Sequence, residues 1–494
     1  MKLQLNHSYL IASGLFLLLS LVFFLIIFFQ QHGFTYPLDD PYIHLSISDN
    51  FAHRGIWGIS GGEFSASSSS PVWTLILSFF ALFPINSLFV PLVINIFVVL
   101  GLVYFLKSKK IEDPIIFSIL FLTPLIPLVF TGMEHIIQVF ISLFLFLFLL
   151  EKNSSTPRFV YLLLFISGGI RYEFLFFAVC LGFFHSLQTK SFLPLITFIF
   201  TVALIPIFFG IIHIMNSWDF LPSGVMIKGN HLFFHNTSKF FLIGFRNLLT
   251  TPHIFIPLMI LTLYLAYLNI IKTVQIQTVT YTSFGFLLSV SLLHLFFAQK
   301  AWFYRYETYL IPMIILFSFR LIQKNHRWVL ILILFPMVIR SFQAHRDIPL
   351  ASQNIHDQQK RLSLFLKEVP GKKVLLNDAG LMTWKTGIQF YDFYGLGTRY
   401  FYKQARDKNW DLNKLEYYIY NNKITLALIY KNWFENRFGK IPDTWRQIGV
   451  HQIKNNIICG NSSVHIYVLP SGTKSINKFI SKCNRYLSNA CAPE

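Results

Sequence analysis

Long apolar runs constrain this chain more than any other feature of its sequence. About 20 consecutive apolar residues span the hydrocarbon core of a bilayer as a helix, and several runs reach that length. The 494 residues are 54% hydrophobic and 13% charged. We therefore predict a polytopic α-helical membrane protein with about eleven transmembrane helices, at 9–29, 88–106, 114–131, 135–150, 159–170, 174–187, 191–213, 253–271, 280–298, 306–322 and 327–343.

The first run is predicted to stay in the mature protein. It is longer than the apolar region of a signal peptide, and no small-x-small cleavage site follows it. With Lys2 in the cytoplasm, the loops that become cytoplasmic are basic, as the positive-inside rule requires. This distribution explains the net charge of +19 without a nucleic-acid partner. The basic residues in question are KSKK (107–110), Lys152, Arg158, Lys190, Lys272 and Lys324.

One further apolar segment, VWTLILSFFALF (72–83), is too short to cross a bilayer. It is interpreted as a re-entrant or interfacial helix, because counting it as a span would place KSKK outside, against the charge rule. The preceding GGEFSASSSSP is interpreted as a flexible loop.

The pattern becomes polar from residue 344. A helix-like stretch (349–368) precedes the strand-like segments VLLN, ITLALIY and VHIYVL, separated by Gly, Asn and Asp. We predict a membrane module over 1–343, with a first extracytoplasmic loop at 30–71, and a soluble mixed α/β domain over 344–494. An odd number of spans puts this domain and the first loop on the same side, opposite the N-terminus.

The four cysteines form no CxxC motif, which argues against a zinc or redox site. Cys180 lies in an apolar run. If the C-terminal domain is extracytoplasmic, one disulfide among Cys459, Cys483 and Cys491 is expected, and the sequence does not select the pair.

Five charged segments are predicted to meet at the extracytoplasmic surface. Ionisable groups at a membrane boundary must be solvated or paired, and they are functional candidates by default. Each alone is as well explained by an interfacial anchor or a salt bridge at a helix end, but their convergence favours a site. The segments are the loop 30–71 with Asp39, Asp40, His44, His53 and Arg54; TGMEH (131–135); IRYE (170–173); WDFLPSGVMIKGN (218–230); and QKAWFYRYE (299–307).

These residue types suit a substrate with an anionic head and a lipid tail. Arg and Lys bind phosphate, and a carboxylate can take a proton from an attacking hydroxyl. Asp40 is also expected to be the N-cap of a helix that begins at Pro41, which would leave Asp39 as the freer acid.

The same segments resemble the GT-C glycosyltransferases, in particular the branch that contains polyprenyl-phosphate arabinofuranosyltransferases. DDPYIHLSISDNFAHRGIWGISGGEFSASSSSPVWTLIL (39–77) is similar to the first loop of that branch. Tyr172 in place of a family Pro, Pro41 and His44 at the helix start, and Ser-Gly after Pro222 depart from its pattern. The later segments follow in order: TGME, IRYE, DFLPSGVMIK, WFYRYETYLIP and NDAGLMTWKTGIQFYDFYGLGT (377–398).

The resemblance implies inverting transfer of a sugar from polyprenyl phosphate to an extracytoplasmic glycan or lipid acceptor, in a bacterial inner (plasma) membrane. Asp39 would be the general base, and Asp40 would position the acceptor or Asp39. The donor phosphate would be bound by Arg171, Lys228, Arg305 and Lys300. The supporting residues would be His44, Arg54, Glu134, Glu173 and Tyr306, with the two glutamates paired to the cations.

Three alternatives stay open at this point. Some GT-C relatives hold a divalent metal near the first-loop acids, and Asp39, Asp40 and His44 are suitable ligand types, although no metal is required. A transporter or flippase for an anionic lipid or sugar is the chief rival, but transporters usually show internal repeats and binding groups near the midplane. A glycan ligase or polymerase with a lipid-diphosphate donor is the third.

Overall fold

The structure of the protein, a computed structural model, describes residues 7–151, 155–228, 237–271, 277–298, 302–369, 371 and 373–487. Helices dominate this part of the chain up to residue 368. They are α1 His7–Gln31, α2 Asp40–Arg54, α3 Pro71–Ala81, α4 Val90–Ser108, α5 Asp113–Leu122, α6 Leu125–Phe130, α7 His135–Leu150, α8 Arg158–Ile170, α9 Phe174–Thr189, α10 Leu193–Met215, α11 Ser223–Lys228, α12 Thr237–Leu249, α13 Pro252–Ile271, α14 Thr278–Phe297, α15 Leu310–Leu321, α16 Trp328–Ile355 and α17 Arg361–Glu368.

Within the described residues, six helices are long and apolar enough to cross a membrane. They fall on six of the predicted runs, and their ranges are Ser8–Gln31, Ser87–Ser108, Leu193–Met215, Pro252–Ile271, Thr278–Phe297 and Trp328–Glu368. The described part of the protein is therefore mostly helical and has the composition of a multi-pass membrane protein. The other predicted runs form shorter apolar helices, so the count of about eleven stays a prediction.

Two of the short elements differ from the predicted runs. The run 114–131 is divided into α5 and α6, because Pro124 between them has φ 20° and ψ 59°, which no helix accommodates. The amphipathic helix α12 has no counterpart among the predicted runs. The segment 72–83 forms α3, a helix of 11 residues, as its length and composition predicted.

The last long helix connects the membrane module to the C-terminal domain without a break. It runs from Trp328 to Glu368 as α16, a π-helical turn at His356–Lys360, and α17. The change to polar composition near residue 344 therefore lies inside a helix. A helix that continues from one part to the other fixes their distance more firmly than a flexible linker would.

The C-terminal domain contains a five-stranded mixed sheet. Its order is β2-β1-β3-β5-β4, with β1 parallel to β2 and β3, and β5 antiparallel to β3 and β4. The strands are β1 Lys373–Leu376, β2 Gln389–Asp392, β3 Leu426–Ile429, β4 Arg446–Gln452 and β5 Ser463–Val468, and the helices are α18 Arg399–Asp407, α19 Leu412–Asn421, α20 Lys431–Phe438 and α21 Ile476–Tyr486.

Helix α2 lies between the two parts of the protein. Tyr42 and Leu45 belong to the core that the apolar helices build, together with Trp73 of α3. Ile43 and Ile47 belong instead to a core that contains strand residues of the C-terminal domain. Because successive faces of one helix are buried in two cores, its first residues are held at the junction between them.

The structure reduces the number of possible disulfide pairs among the C-terminal cysteines. Cys180 and Cys459 are buried free thiols, and burial raises the pKa of Cys459. Cys483 is disulfide-bonded. Cys459 is therefore excluded from the pair, while Cys491 lies outside the described residues.

Candidate functional site

Asp40 begins α2 and pairs with Arg305, which lies 265 residues later in the chain. The expected capping role of Asp40 is wrong: Asp39 holds the N-cap position, and its side chain makes no capping hydrogen bond. The Arg305 guanidinium orients the carboxylate of Asp40 instead. Arg305 is buried, and its Nε and Nη1 atoms have no hydrogen-bond partner within the described chain.

A strained turn presents Arg305 to Asp40. Phe303 and Tyr304, directly before it, both have positive φ, at 58° and 57°. Each such residue costs on the order of 1–3 kcal/mol unless its surroundings hold it in place. Buried Arg340 of α16 donates a 2.9 Å hydrogen bond to the Tyr304 carbonyl oxygen and places its guanidinium 4.9 Å from the Tyr304 ring centroid. Arg340 thus holds the turn.

Arg171, in the break between α8 and α9, is paired with two glutamates. Its Nη1 donates to Glu134 at 3.1 Å, and its Nε and Nη2 donate to the two oxygens of Glu173 at 3.0 and 2.6 Å. All three side chains are buried. This is the pairing that the sequence led us to expect for the two glutamates.

Tyr306 links the two arginines. The Arg171 guanidinium carbon lies 4.5 Å from its ring centroid, and that of Arg305 lies 5.2 Å away. His135 stacks on the same ring, with centroids 5.6 Å apart. Cation–π contacts of this kind strengthen when water is excluded, so the tyrosine holds the two cations at one place.

A cavity of about 200 Å³ opens beside this cluster. Asp40, His44, Arg171, Glu173 and Tyr306 form its polar wall. Its remaining wall is largely apolar, and the residues that contribute to it are Ile43, Met133, Phe176, Val225, Phe297 and Leu396. We call this the first cavity. Charged groups on one side and apolar groups on the other match an amphiphilic ligand.

A second cavity, of about 320 Å³, also has Asp40 in its lining and is walled in large part by the C-terminal domain. Asp39, Asp40 and Arg305 line it from the membrane module. From the C-terminal domain come Asn377, Asp378, Asp392, Tyr394, Trp433 and Cys459, together with Gln359 of the connecting helix. Asp40 and Leu396 line both cavities, so the two spaces adjoin at the pair formed by Asp40 and Arg305.

The turn after β1 packs directly on Asp39. A Cβ atom on Gly380 would lie 2.4 Å from the Cβ of Asp39 and 2.7 Å from its Cα, so only glycine fits there. Next to it, the Tyr430 hydroxyl donates to Asp378 at 2.6 Å. The C-terminal domain therefore contributes to the surroundings of Asp39 by direct contact.

Asp392 organises the loop that carries Leu396. Its carboxylate accepts hydrogen bonds from the backbone N–H groups of Tyr394, Leu396 and Gly397, at 2.9, 2.6 and 2.8 Å. Burial nevertheless raises the pKa of Asp392 to about 6. The Leu396 carbonyl oxygen accepts from the hydroxyls of Ser67 and Ser223, both at 2.7 Å, which ties this loop to the first loop and to α11.

Not every residue proposed from the sequence reaches this place. Arg54 lies at the other end of α2, in a separate groove with Asp49 and Lys385. Lys228 ends α11, whose Val225 lines the first cavity, but its side chain lies outside the described part of the structure. Lys300 is also outside the described residues. It follows Ala298 closely in the sequence, and Ala298 lines the first cavity.

The serine-rich segment was interpreted wrongly as flexible. Ser65, Ser68 and Ser70 are buried, and Ser68 bonds Thr74 of α3 at 2.9 Å. Thr74 in turn shares a 2.7 Å hydrogen bond with Nδ1 of His44. Small hydroxyl side chains suit such close packing, but the same composition is typical of exposed loops, so the sequence offered no signal to separate the two.

The divalent metal is not supported by the arrangement of side chains. Across the described ranges, no group of three or more His, Cys, Asp or Glu side chains is placed to hold an ion. His44 is bonded to Thr74 and Asp40 to Arg305. The reaction proposed below therefore includes no metal ion.

Comparison with known proteins covers only the C-terminal domain. Residues 353–467 match a family described as a domain of unknown function (DUF8728). No curated protein matched the chain, and no solved structure matched it. The matched segment includes Asp378, Asp392, Trp433 and Cys459, which line the second cavity.

Proposed function

We propose that the protein is a membrane glycosyltransferase that moves a sugar from a polyprenyl-phosphate donor to an extracytoplasmic glycan or lipid acceptor. The observation that carries this proposal is the position of Asp40, paired with a buried arginine in the wall between two cavities. One cavity has the apolar and charged walls that a lipid phosphate needs. The other brings carboxylates, amides and aromatic rings together, which suits a sugar acceptor.

In the proposed reaction, an acceptor hydroxyl attacks C1 of the donor sugar. The new C1–O bond forms as the bond from C1 to the phosphate oxygen breaks, with inversion at C1. The proton of the hydroxyl passes to a carboxylate, and polyprenyl phosphate leaves with the bonding electrons. Polyprenyl phosphate gains negative charge in the transition state, so positioned cations beside it accelerate the step.

Both aspartates line the acceptor side. We assign the positioning role to Asp40, because Arg305 fixes its carboxylate, and the general base to Asp39. Arg305 lines the second cavity, and its partner Asp40 lines both. It is the first candidate for the phosphate that departs where the two cavities adjoin, since two of its nitrogen atoms make no hydrogen bond within the described chain. Arg171 is neutralised by two glutamates, so a phosphate in the first cavity needs the further charge that Lys228 and Lys300 would bring.

The topology that accompanies this function has a cytoplasmic N-terminus and an extracytoplasmic C-terminal domain in a bacterial inner membrane. The interfacial helix α3 would help to admit the lipid tail. Two other functions compete: a transporter or flippase for an anionic lipid or sugar, and a glycan ligase or polymerase with a diphosphate donor. The second cavity, which the C-terminal domain lines beside Asp40, favours a transferase over transport because it offers a separate space for an acceptor.

The test uses the full chain in proteoliposomes, with polyprenyl-phosphate donors that carry labelled hexose or pentose, and membrane glycan extracts as acceptor. Loss of a general base costs roughly 10²–10⁴ in rate, so Asp39→Asn should abolish most transfer and Asp40→Asn should reduce it strongly. Full transfer by both folded variants would refute the assignment. Movement of labelled lipid across sealed vesicles without a new glycosidic bond would support the transporter instead.

A further inference from the structure

The groove at the far end of α2 places basic side chains next to apolar ones. Its volume is about 700 Å³, and its walls come from the end of α2, the end of α3 and the segment that leads from β1 to β2. Among the described residues that line it, Arg54 and Lys385 are cationic and Asp49 is the one carboxylate. The lining therefore carries an excess of positive charge, which suits an anionic ligand.

Asp49 is already engaged by groups of the C-terminal domain. Its carboxylate accepts a 2.9 Å hydrogen bond from the indole N–H of Trp384, and one of its oxygens lies 3.8 Å from Nζ of Lys385. Arg54 is exposed, and its guanidinium lies against the loop after α2, where a Cβ added to Gly61 would collide with Nη1. The absence of a side chain at Gly61 thus leaves room for this cation at the groove.

The groove lies where an apolar helix long enough to cross a membrane begins. Ser87, the first residue of the candidate span Ser87–Ser108, lines the groove and accepts a 2.8 Å hydrogen bond from Nζ of Lys385. Phe83 and Ile85 also line it, and they are 47% and 49% exposed. Cations beside exposed apolar side chains at the end of a span are what the headgroup and acyl chains of an anionic lipid require.

We propose that this groove binds an anionic membrane lipid through its phosphate, with Arg54 and Lys385 as the phosphate-binding residues and Phe83 and Ile85 against the acyl chains. Arginine can contact two phosphate oxygens at once, and lysine adds a point charge. Arg54 belongs to α2 and Lys385 to the C-terminal domain, so a bound headgroup holds these two parts together and raises the Tm. The site is separate from the two cavities and does not rest on the proposed transfer reaction.

The test locates lipid contacts on the full chain in nanodiscs. Phosphatidylglycerol and phosphatidylcholine, each with a photoactivatable diazirine in one acyl chain, are crosslinked in turn, and the labelled peptides are identified by mass spectrometry. We expect the segment 79–88 to be labelled more by the anionic lipid than by the zwitterionic one. The double variant Arg54→Gln/Lys385→Gln should reduce this ratio about tenfold, and it should also lose most of the rise in Tm that phosphatidylglycerol produces.

Three single variants control the experiment. Gly61→Ala keeps both charges but displaces the Arg54 guanidinium, so it should lower the labelling ratio. Gly62→Ala should not, because no atom lies within 4 Å of the Cβ it would add. Lys440→Gln removes an exposed lysine of the same domain that pairs with Asp443, and it should also leave the ratio unchanged. The Tm of each variant in phosphatidylcholine alone shows that it is folded.

Several results would overturn the inference. They are equal labelling of segment 79–88 by the two lipids, and a ratio in the folded double variant equal to that of the unaltered protein. Glycerol phosphate, which has the phosphate without the acyl chains, should not compete. Its suppression of the labelling would identify a soluble phosphate as the occupant and refute the lipid.

These outcomes are separable from failure of the proposed function. Sugar transfer that depends on Asp39, combined with equal labelling by both lipids, would keep the transferase and remove the lipid site. Selective labelling with no transfer from any polyprenyl-phosphate donor would keep the lipid site and remove the transferase.

Discussion

Gly380 lies against Asp39 so closely that a single added methyl group would overlap the aspartate backbone. The contact joins the C-terminal domain to the first residue of the candidate site. It means that the position of Asp39 depends on how the domain packs, in addition to the start of α2.

Substitution Gly380→Ala should therefore displace Asp39. Its Cβ would lie 2.4 Å from the Asp39 Cβ, and such overpacking costs about 1–3 kcal/mol. We expect a lower Tm in detergent and a loss of transfer larger than the loss of stability explains. Gly62→Ala is the matched control, because no atom lies within 4 Å of the Cβ it would add. If the two variants behave alike, the contact does not position Asp39.

Asp392 predicts a pH dependence of stability. Burial raises its pKa from the ordinary 3.8 to about 6, against the opposing hydrogen bonds from backbone N–H groups. The folded chain then binds this proton more tightly than the unfolded chain, so this group's contribution to the free energy of unfolding falls as the pH rises from about 4 to about 6.

The full effect of that shift is about 3 kcal/mol. We expect the Tm difference between the unaltered protein and Asp392→Asn to change in favour of the unaltered protein as the pH is lowered from 7 to 4. Asp443→Asn, an exposed site, should show no such trend. A difference that is constant across this range would contradict a raised pKa at Asp392.

Removal of Arg171 should be severely destabilising. Arg171→Met would leave Glu134 and Glu173 buried without their cation, and breaking a buried pair in this way typically costs about 3–5 kcal/mol. Arg171→Lys keeps the charge but cannot form the two-pronged contact with Glu173, so an intermediate loss is expected. Thermal unfolding in detergent measures both. The control is Arg158→Met, at the exposed start of α8, which should have the Tm of the unaltered protein. An unchanged Tm for Arg171→Met would contradict the buried network.

Arg340 should act on transfer through the turn that it holds. Arg340→Met removes the hydrogen bond to the Tyr304 carbonyl, worth about 1–3 kcal/mol when the partner is left buried. Because Arg305 follows this strained turn, even a small displacement should lower kcat by roughly 10–100-fold.

Measuring both kcat and Tm for Arg340→Met separates an effect on the position of Arg305 from a general loss of stability. Arg346→Met, on the same helix but exposed and paired with Asp347, should leave kcat unchanged. Unchanged kcat in Arg340→Met would show that the turn keeps its shape without this arginine.

Much of the candidate site could be anticipated from local residue types. Charged residues that interrupt apolar runs, such as Asp40, Arg171, Glu173 and Arg305, were expected to lie together with Tyr306, and they do. Arg54 was not separable from them by sequence, because it shares the first loop. Only the direction in which α2 runs places Arg54 in the other groove.

The residues that the C-terminal domain contributes to the candidate site were harder to predict. Strands β1, β3 and β5 are apolar and were predicted, whereas β4, RQIGVHQ, and the short β2 carry no comparable signal. Asp378 and Asp392 follow β1 and end β2. Their motifs were visible in the sequence, but nothing local indicated that they would face Asp39.

By itself the sequence determined that the chain is a membrane protein, where its long helices lie, and which charged residues require a partner, since hydropathy and burial cost are properties of short segments. Only the tertiary structure decided which partner each charge has and that Asp40 separates two cavities. Those outcomes depend on α2 being packed between two cores whose residues are hundreds of positions apart. Contacts of that range arise from the fit of whole surfaces, which no local pattern encodes.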